Sequence, residues 1–401
     1  MAAGGLDALK NHIDRYICSA NDAICFKMIQ DTSDFENEKK TFHPDMSHQI
    51  FGEKEQIFGY ADLRIDLFYS ATQLFGYLGM KYSEKIDPEK FGVEVDNINK
   101  KMEEVLLPGC CQSLDEYSSH LQKDSDFHPH GEMVYQYNRT CKDGTEKVFE
   151  MFHPSIEDPG FREYHGRMQT FLYWFVDAAS YIDIDDEKWE YYTIFEKRSG
   201  NCGKCTYLFV GYCTVYNFYA YPEHIRPRIS QFLILPPYQR QGHATEILDA
   251  IQKLFLTREN IRDICVEDPS ENFQRIRDFI DCRNCIDFDC FQPEKLPNGF
   301  SKCMFEECNK KLKLNARQTR RIYEILRLKN TDILNENSLQ PYRLEVKRRL
   351  NQPFTAKQYG KKLDSSIMPS NDERFNILES EFSRLLEEYL PVVERLNKNA
   401  M

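Results

Sequence analysis

The chain has 401 residues, 41% of them hydrophobic and 13% aromatic, enough to bury the cores of two or three domains and too apolar for a disordered polymer. With 52 Lys and Arg against 64 Asp and Glu the net charge is −12, which favours a basic partner by long-range attraction, although the plainer reading of an acidic chain is solubility. No apolar run approaches the ~18 residues of a membrane helix, and the start, Met1 to Asp7, lacks a signal peptide's basic end and apolar stretch. A soluble intracellular protein with no membrane association is expected.

In chain order, a helix is predicted at Leu6–Ala20 and a strand at Ala23–Ile29. Gln56–Tyr60, Leu63–Tyr69 and Phe75–Lys81 alternate aromatic and polar residues and read as strands. Asn97–Leu106 returns to helical spacing. Glu132–Tyr137 and Glu146–Phe152 flank the turn signal Cys141-Lys-Asp-Gly144 and predict a hairpin. Phe161–Asp177, with Phe171, Leu172, Trp174 and Phe175, reads as one buried helix. Trp189–Lys197 and Thr206–Tyr216 predict a second antiparallel pair around the turn Arg198–Lys204.

The next stretch organises the rest. Ile229–Leu235 is an apolar strand stopped by Pro236 and Pro237, and Gln239–Ala244 makes a compact loop around Gly242. Helical spacing follows from Thr245, with Ile247, Leu248, Ile251 and Leu254 on one face. Strand, small-residue loop and helix start together suit a pyrophosphate, which loop N–H groups and the positive end of a helix dipole both attract. Beyond it lie a short buried strand, Ile261–Val266, and a helix from Glu271 to about Cys282 with Ser270 as N-cap. Residues 300–401 are mainly helical: Arg317–Lys329, Leu339–Leu350, and Phe375–Leu396, the last interrupted at Pro391. Asn351–Asp372 reads as a flexible link.

The charge is uneven: residues 301–364 carry 16 Lys and Arg against 7 Asp and Glu, while the first 300 carry 32 against 50. Fourteen cysteines in a reducing compartment argue against a disulfide framework. Two Cys-x-x-Cys pairs, Cys202/Cys205 and Cys282/Cys285, have zinc-ligand spacing. One sits in a polar hairpin turn and the other ends a helix, on either side of the central unit, so ordinary thiols and no metal site are expected.

Gln239-Arg-Gln-Gly-His-Ala244 fits Gln/Arg-x-x-Gly-x-Gly/Ala, and here the chain resembles the GCN5-related N-acetyltransferase superfamily. The segments Ile182–Trp189, Thr214–Tyr219, Arg226–Gln231, Val266–Ser270, Phe161–His165 and Arg320–Arg327 are similar to type B histone acetyltransferase catalytic subunits, over about Phe42 to Arg349. The resemblance implies an α+β fold: a central mixed acetyltransferase sheet flanked by helices, a mixed N-terminal domain and a helical C-terminal region. The expected divisions are an N-terminal domain at 1–127, the acetyltransferase core at 128–266, helices at 267–350, and a link with a terminal helix at 351–401.

It also implies acetyl-CoA as co-substrate, with Phe232, Leu233 and Ile234 as backbone contacts to the pantetheine arm. Gln239, Arg240, Gln241, Gly242, His243 and Ala244 become the pyrophosphate cradle, where backbone approaches phosphate too closely for a side chain at Gly242. A lysine side chain titrates near ~10.4, so a base must take its proton as the amine approaches the thioester. Glu267, flanked by Val266 and Pro269, is expected to be partly desolvated, a condition that makes a carboxylate a better base. It is the foremost candidate, ahead of Asp268 and Glu187. The plainer reading is that Glu267 and Asp268 start the following helix, where acids suit the dipole. Helix 271–282 holds no tyrosine to protonate the thiolate, so no general acid is named. Glu53, Lys54, Glu55, Tyr216, Asn217 and Phe218 match segments that touch a histone tail in the family, against the plainer reading of a rim charge pair and a strand face.

The implied acceptor is the N-terminal tail of newly made, free histone 4, and the implied partner a WD-repeat β-propeller histone chaperone, in nucleus and cytoplasm. Direct transfer in a ternary complex needs neither a metal nor a covalent enzyme intermediate, and no direct DNA binding is expected. Two rivals stand beside this: a non-catalytic histone-binding chaperone subunit, and a zinc-stapled nucleic-acid module using the cysteine pairs and the basic 301–364 segment. Within the enzyme class another protein or a polyamine remains an alternative acceptor.

Overall fold

The structure is a computed structural model and describes residues 13–106, 110–122, 126–140, 144–200, 204–355 and 369–399. The chain divides into two compact units, Met1–Tyr216 with Ser230–His243, and Asn217–Ile229 with Ala244–Met401. Both strands and helices are present, so the class is α+β.

In the first unit, β1 (Ile17–Ser19) pairs antiparallel with β3 (Gln56–Phe58). Strand β2 (Ile24–Ile29) runs parallel to β5 (Arg64–Ser70), which pairs antiparallel with β6 (Gly76–Lys81). The two-residue strands β4 (Tyr60–Ala61) and β7 (Glu84–Lys85) form a further antiparallel pair. Helices α1 (Ile98–Val105) and α2 (Leu114–Leu121) follow. The larger sheet has the order β12-β11-β10-β9-β8, made of β8 (Glu132–Thr140), β9 (Glu146–His153), β10 (Trp189–Ser199), β11 (Cys205–Ala220) and β12 (His224–Ile234). Helix α3 (Phe161–Gln169) and the turn Leu172–Phe175 supply apolar side chains to the core shared by these sheets. Phe26 of β2 lies 5.7 Å from Trp174 and 5.4 Å from Phe175, and Phe171 lies 4.3 Å from Tyr69. Aromatic pairs at such spacings add about 0.5–1.5 kcal/mol each to their area burial.

Two expectations need correction here. The described part of Leu6–Ala20 is not a long helix: Ile17–Ser19 is strand β1, and Ser19 caps a one-turn helix at Ala20–Ala23 by accepting from Asp22 N. Leu6 to His12 lie outside the described residues, as do Cys141, Lys142 and Asp143 of the expected turn. Phe161–Asp177 is two helices, not one. The Thr170 hydroxyl donates to Arg167 O at 2.7 Å and meets Tyr69 Oη at 2.8 Å, so a side chain competes for the helix's own carbonyl at the break.

Strand β10 and strand β11 change register between Ile194 and Phe195: Ile194 faces Gly211, Phe195 faces Phe209, and Val210 is the extra residue of a bulge. A Cβ on Gly211 would lie 2.2 Å from Leu233 O, so only glycine permits this approach of β11 to β12.

In the second unit, β13 (Cys265–Val266) runs parallel to the start of β12, with Arg228 opposite Cys265 and Ile229 opposite Val266. The strand expected over Ile261–Val266 is therefore two residues long. Ahead of it, Ile261 makes only an isolated bridge to Ile225 of β12, and Ile264 N donates to Lys313 O at 2.8 Å. The helices are α4 (His243–Leu256), α5 (Glu271–Cys285), α6 (Lys302–Leu312), α7 (Ala316–Lys329), α8 (Glu336–Leu350) and α9 (Asn371–Asn399). Helix α9 passes through Pro391 without the expected interruption. Phe382, Leu385, Tyr389, Val392 and Leu396 are buried at alternating three- and four-residue steps, while Pro391 is exposed. The stripe holds both sides of the proline in one helix. Buried Asp278 accepts from Arg321 and Gln318, Arg321 reaches Glu388 of α9 at 3.0 Å, and Tyr389 donates to Glu324. The link expected at Asn351–Asp372 starts with a one-turn helix, Gln352–Thr355, and residues 356–368 lie outside the described set. No helix among the described residues is long and apolar enough to cross a membrane.

His165 of α3 is fully buried, and neither ring nitrogen has a hydrogen-bond partner among the described residues. Burial pulls its pKa from 6.5 down to about 4. Between those values the unfolded chain takes a proton that the folded one refuses. Stability is therefore full above pH 6.5 and falls as pH drops through the window, by at most about 1.4 kcal/mol per pH unit for one such group. His165→Leu is expected to flatten the acid side of a urea-unfolding pH profile; an unchanged slope would show that His165 is not the titrating group.

Candidate active site

The loop after β12 is built by its own side chains and by β8 and β9, all within the first unit. Pro236–Tyr238 form a single 3-10 turn, Gln239 Nε2 donates to Ile234 O at 2.9 Å, and Gln241 Nε2 donates to Pro237 O at 2.9 Å. Gln239 and Gln241 thus stiffen the loop rather than hang from it. Arg240 (φ 58°) and Gly242 (φ 87°) both take the left-handed backbone conformation, which turns the chain sharply before α4. A Cβ on Gly242 would lie 3.0 Å from Arg139 Nη2, so the space a side chain needs is already filled.

His243 is buried. Its Nδ1 is 2.9 Å from Tyr137 Oη, and its ring packs 4.4 Å from Phe149 and 6.1 Å from Tyr238. Burial first, and the charge of Arg139 second, lower its pKa to about 4. A neutral imidazole inside an aromatic box pins the first residue of α4, and any part it plays at a ligand is through its backbone. Phe232 is half-buried, Leu233 and Ile234 are buried, and Ala244 follows directly in the helix.

The acids lie on short connections. In the second unit Glu267 continues β13, its N–H donating to Ile229 O at 2.9 Å, and its carboxylate pairs with Arg228 Nη2 at 3.0 Å. Each of these two side chains keeps 36% of its surface exposed. The Arg228 guanidinium sits 4.4 Å from the Phe218 ring centre. Phe218, Arg228 and Glu267 are therefore brought together, and Glu267 is partly desolvated, as expected. Asp268, exposed and with φ 28°, lines a polar cavity of about 370 Å3 with Arg275, Arg317 and Arg321. Ser270 Oγ caps α5 by accepting from Phe273 N, so the cap falls to the serine and not to the two acids.

In the first unit, Glu187 is exposed in the connection before β10, and its neighbour Asp186 accepts from Tyr216 Oη at 2.9 Å. That bond and the Lys188 backbone N–H hold the Asp186 carboxyl below its usual pKa, the backbone bond being the larger cause. Tyr216 packs edge-on to Trp189 at 4.9 Å. Asn217 is half-buried next to it in β11. Glu53 and Lys54 are exposed, whereas the Glu55 carboxylate accepts from Ser47 N, His48 N and Asn21 Nδ2. Those bonds lower the Glu55 pKa, led by the one from Ser47, and commit the group to the turn at His48.

Two arginines were not singled out by the sequence: Arg228, inside a quoted segment but without a role, and Arg139, whose Nη2 donates to Gly242 O at 3.1 Å. Of the cysteine pairs, Cys202 lies outside the described residues, and Cys282 and Cys285 are buried at the end of α5, with Cys285 Sγ 3.6 Å from Cys308 Sγ. Among the described residues the group with metal-ligand spacing is Cys111, Glu116 and His120, which includes neither pair.

Comparison with known proteins bears on this geometry. Residues 16–177 match the family described as Histone acetyl transferase HAT1 N-terminus, and residues 277–328 match Histone acetyltransferase type B catalytic subunit, C-terminal. Proteins named histone acetyltransferase type B catalytic subunit from Rattus norvegicus and Homo sapiens are each 38% identical, over 97% of this chain and 96% of theirs. One of the same name from Mycosarcoma maydis is 32% identical over 87% of this chain and 82% of its own. The chain belongs to the family of histone acetyltransferase type B catalytic subunits and is an acetyl-CoA-dependent acetyltransferase.

Proposed function

We propose that the chain acetylates lysines in the N-terminal tail of newly synthesised, free histone 4, by direct attack of the amine on acetyl-CoA with Glu267 as general base. The observation that carries the reading is identity of 38% along almost the whole chain to relatives named histone acetyltransferase type B catalytic subunit. The geometry of the loop and of Glu267 supports it. Gly242, Arg240 and the start of α4 form a tight turn suited to a pyrophosphate, with Phe232, Leu233 and Ile234 leading into it for the pantetheine arm. Glu267 ends a strand on a defined backbone bond, and Arg228 fixes its carboxylate, so a base can be held in one place as the amine arrives. Asp268 and Glu187 are secondary candidates.

The excess of acids in the first 300 residues suits a basic tail. The exposed Glu53 and Lys54, and the aromatic Tyr216–Phe218 stretch, offer charge and packing for lysine stems. Glu55 contributes by shaping that turn. A WD-repeat β-propeller chaperone as partner, and work in both nucleus and cytoplasm, follow from the same reading.

The test is an initial-rate comparison of acceptors at fixed acetyl-CoA: a histone 4 tail peptide, a lysine-containing peptide of unrelated sequence, and spermidine. The tail peptide is expected to give the highest kcat/KM, with intersecting initial-velocity lines for the two substrates. Preference for spermidine would replace the acceptor, and parallel lines would replace direct transfer with a covalent intermediate.

A further inference from the structure

Within the first unit, three side chains with metal-binding atoms converge: Cys111, Glu116 and His120. One ligand atom from each lies within 4.8 Å of the other two. The backbone holds them there. Cys111 forms a single parallel bridge to Tyr77 of β6: its N–H donates to Gly76 O and its carbonyl accepts from Leu78 N, each at 2.9 Å. Both sides of its buried thiol are thereby fixed. Glu116 and His120 stand four positions apart on α2, so one face of the helix carries both. Buried Tyr117 of the same helix packs 5.8 Å from Tyr77 and 6.0 Å from Phe35, and His120 packs 4.8 Å from Phe75. None of the three metal-binding side chains hydrogen-bonds or ion-pairs to another described residue.

The donor set selects the ion. Thiolate, imidazole and carboxylate are zinc ligands, and three of them with a water complete a four-coordinate site. At zinc bond lengths neighbouring ligand atoms stand about 3.5 Å apart, so the group has to close by roughly 1 Å. Glu116 is exposed and His120 half-buried, which gives both side chains room to turn and the ion a way in. Thiolate and carboxylate match the ion's two charges, and the Cys111 proton leaves to solvent on binding. A metal has something to fasten here. Helix α2 has eight residues, and isolated helices shorter than about 12 are marginal. The buried cluster beneath it is small: Ile29, Phe68, Cys111 and Tyr117.

We propose that Cys111, Glu116 and His120 bind one zinc ion, which clips α2 to the edge of β6. The role is structural, since none of the residues assigned to cofactor, base or acceptor is among the ligands.

The experiment loads the metal-free full chain with zinc, desalts it and measures metal content, then repeats the loading with Co2+ as a spectroscopic probe. Wild type is expected to keep one zinc per chain and, with cobalt, to show a thiolate-to-metal charge-transfer band that Cys111→Ser lacks. His120→Ala and Glu116→Gln should each weaken zinc binding by at least about tenfold, the smallest loss expected even for an outer-shell partner. Glu116 is exposed, so Glu116→Gln reads the site even where the buried Cys111→Ser fails to fold. Cys110→Ser, adjacent in sequence but outside the group, should bind like wild type. Zinc should raise the melting temperature of wild type and, at the same concentration, raise that of Glu116→Gln less. Zinc held unweakened by both Glu116→Gln and His120→Ala would lie elsewhere and overturn the inference. So would a wild type that keeps no zinc, or a cobalt band that persists in Cys111→Ser. Equal melting of wild type with and without zinc would contradict the clip.

Discussion

Glu267→Gln is expected to lower kcat by about 10²- to 10⁴-fold, the range over which a positioned base contributes to a proton transfer. Affinity for CoA should stay at the wild-type level. The substitution keeps the shape of the side chain and removes its ability to accept a full proton. Unfolding cannot account for such a loss, since a pair in which each side chain keeps 36% of its surface exposed stabilises by only about 0–1 kcal/mol. Arg228→Gln separates orientation from chemistry. With the carboxylate retained and its anchor gone, a smaller fall in kcat is expected, and the two substitutions together should cost little more than Glu267→Gln alone. Wild-type turnover in Glu267→Gln would move the base to Asp268 or Glu187.

The second large effect is on cofactor binding. Gly242→Val is expected to weaken CoA binding roughly 10- to 100-fold, because a β-branched residue resists a φ of 87° and its Cβ would begin 3.0 Å from the Arg139 guanidinium. Gly242→Ala keeps the Cβ contact without the β-branch and should be milder. At saturating acetyl-CoA the valine variant should regain much of its kcat, since the acids lie outside the loop. Calorimetry with CoA and a circular-dichroism melt on the same samples separate lost binding from lost fold. Normal CoA affinity in the valine variant would remove Gln239–Ala244 from the site.

Much of this arrangement was legible in the residues. The apolar run to Leu235, the two prolines and the spacing Ile247, Leu248, Ile251 predict strand, turn and helix, and those elements are present at β12, the 3-10 turn and α4. The hairpin strands and the Ser270 cap were readable for the same reason, since each is decided within a few neighbouring residues. What could not be read depends on partners far along the chain. Nothing near His243 says that Tyr137 and Phe149 will enclose it, and nothing near Gly242 points to Arg139. Arg228 and Glu267 are 39 positions apart and meet only because β12 and β13 align in parallel. Local rules also mislead where packing overrides them. Pro391 argues for a break, yet the buried stripe from Phe382 to Leu396 keeps α9 whole, and Ile264 is a strand former whose backbone N–H goes to Lys313 O instead of to β12.

The most direct measurement is mass spectrometry of a histone 4 N-terminal peptide after incubation with acetyl-CoA and the full chain, with Glu267→Gln run alongside at matched CoA affinity. Acetyl groups on the peptide's lysines, formed rapidly by wild type and only at trace level by the variant, are the predicted result. A peptide left unmodified by wild type while another acceptor is acetylated, or equal acetylation by both proteins, would contradict the account.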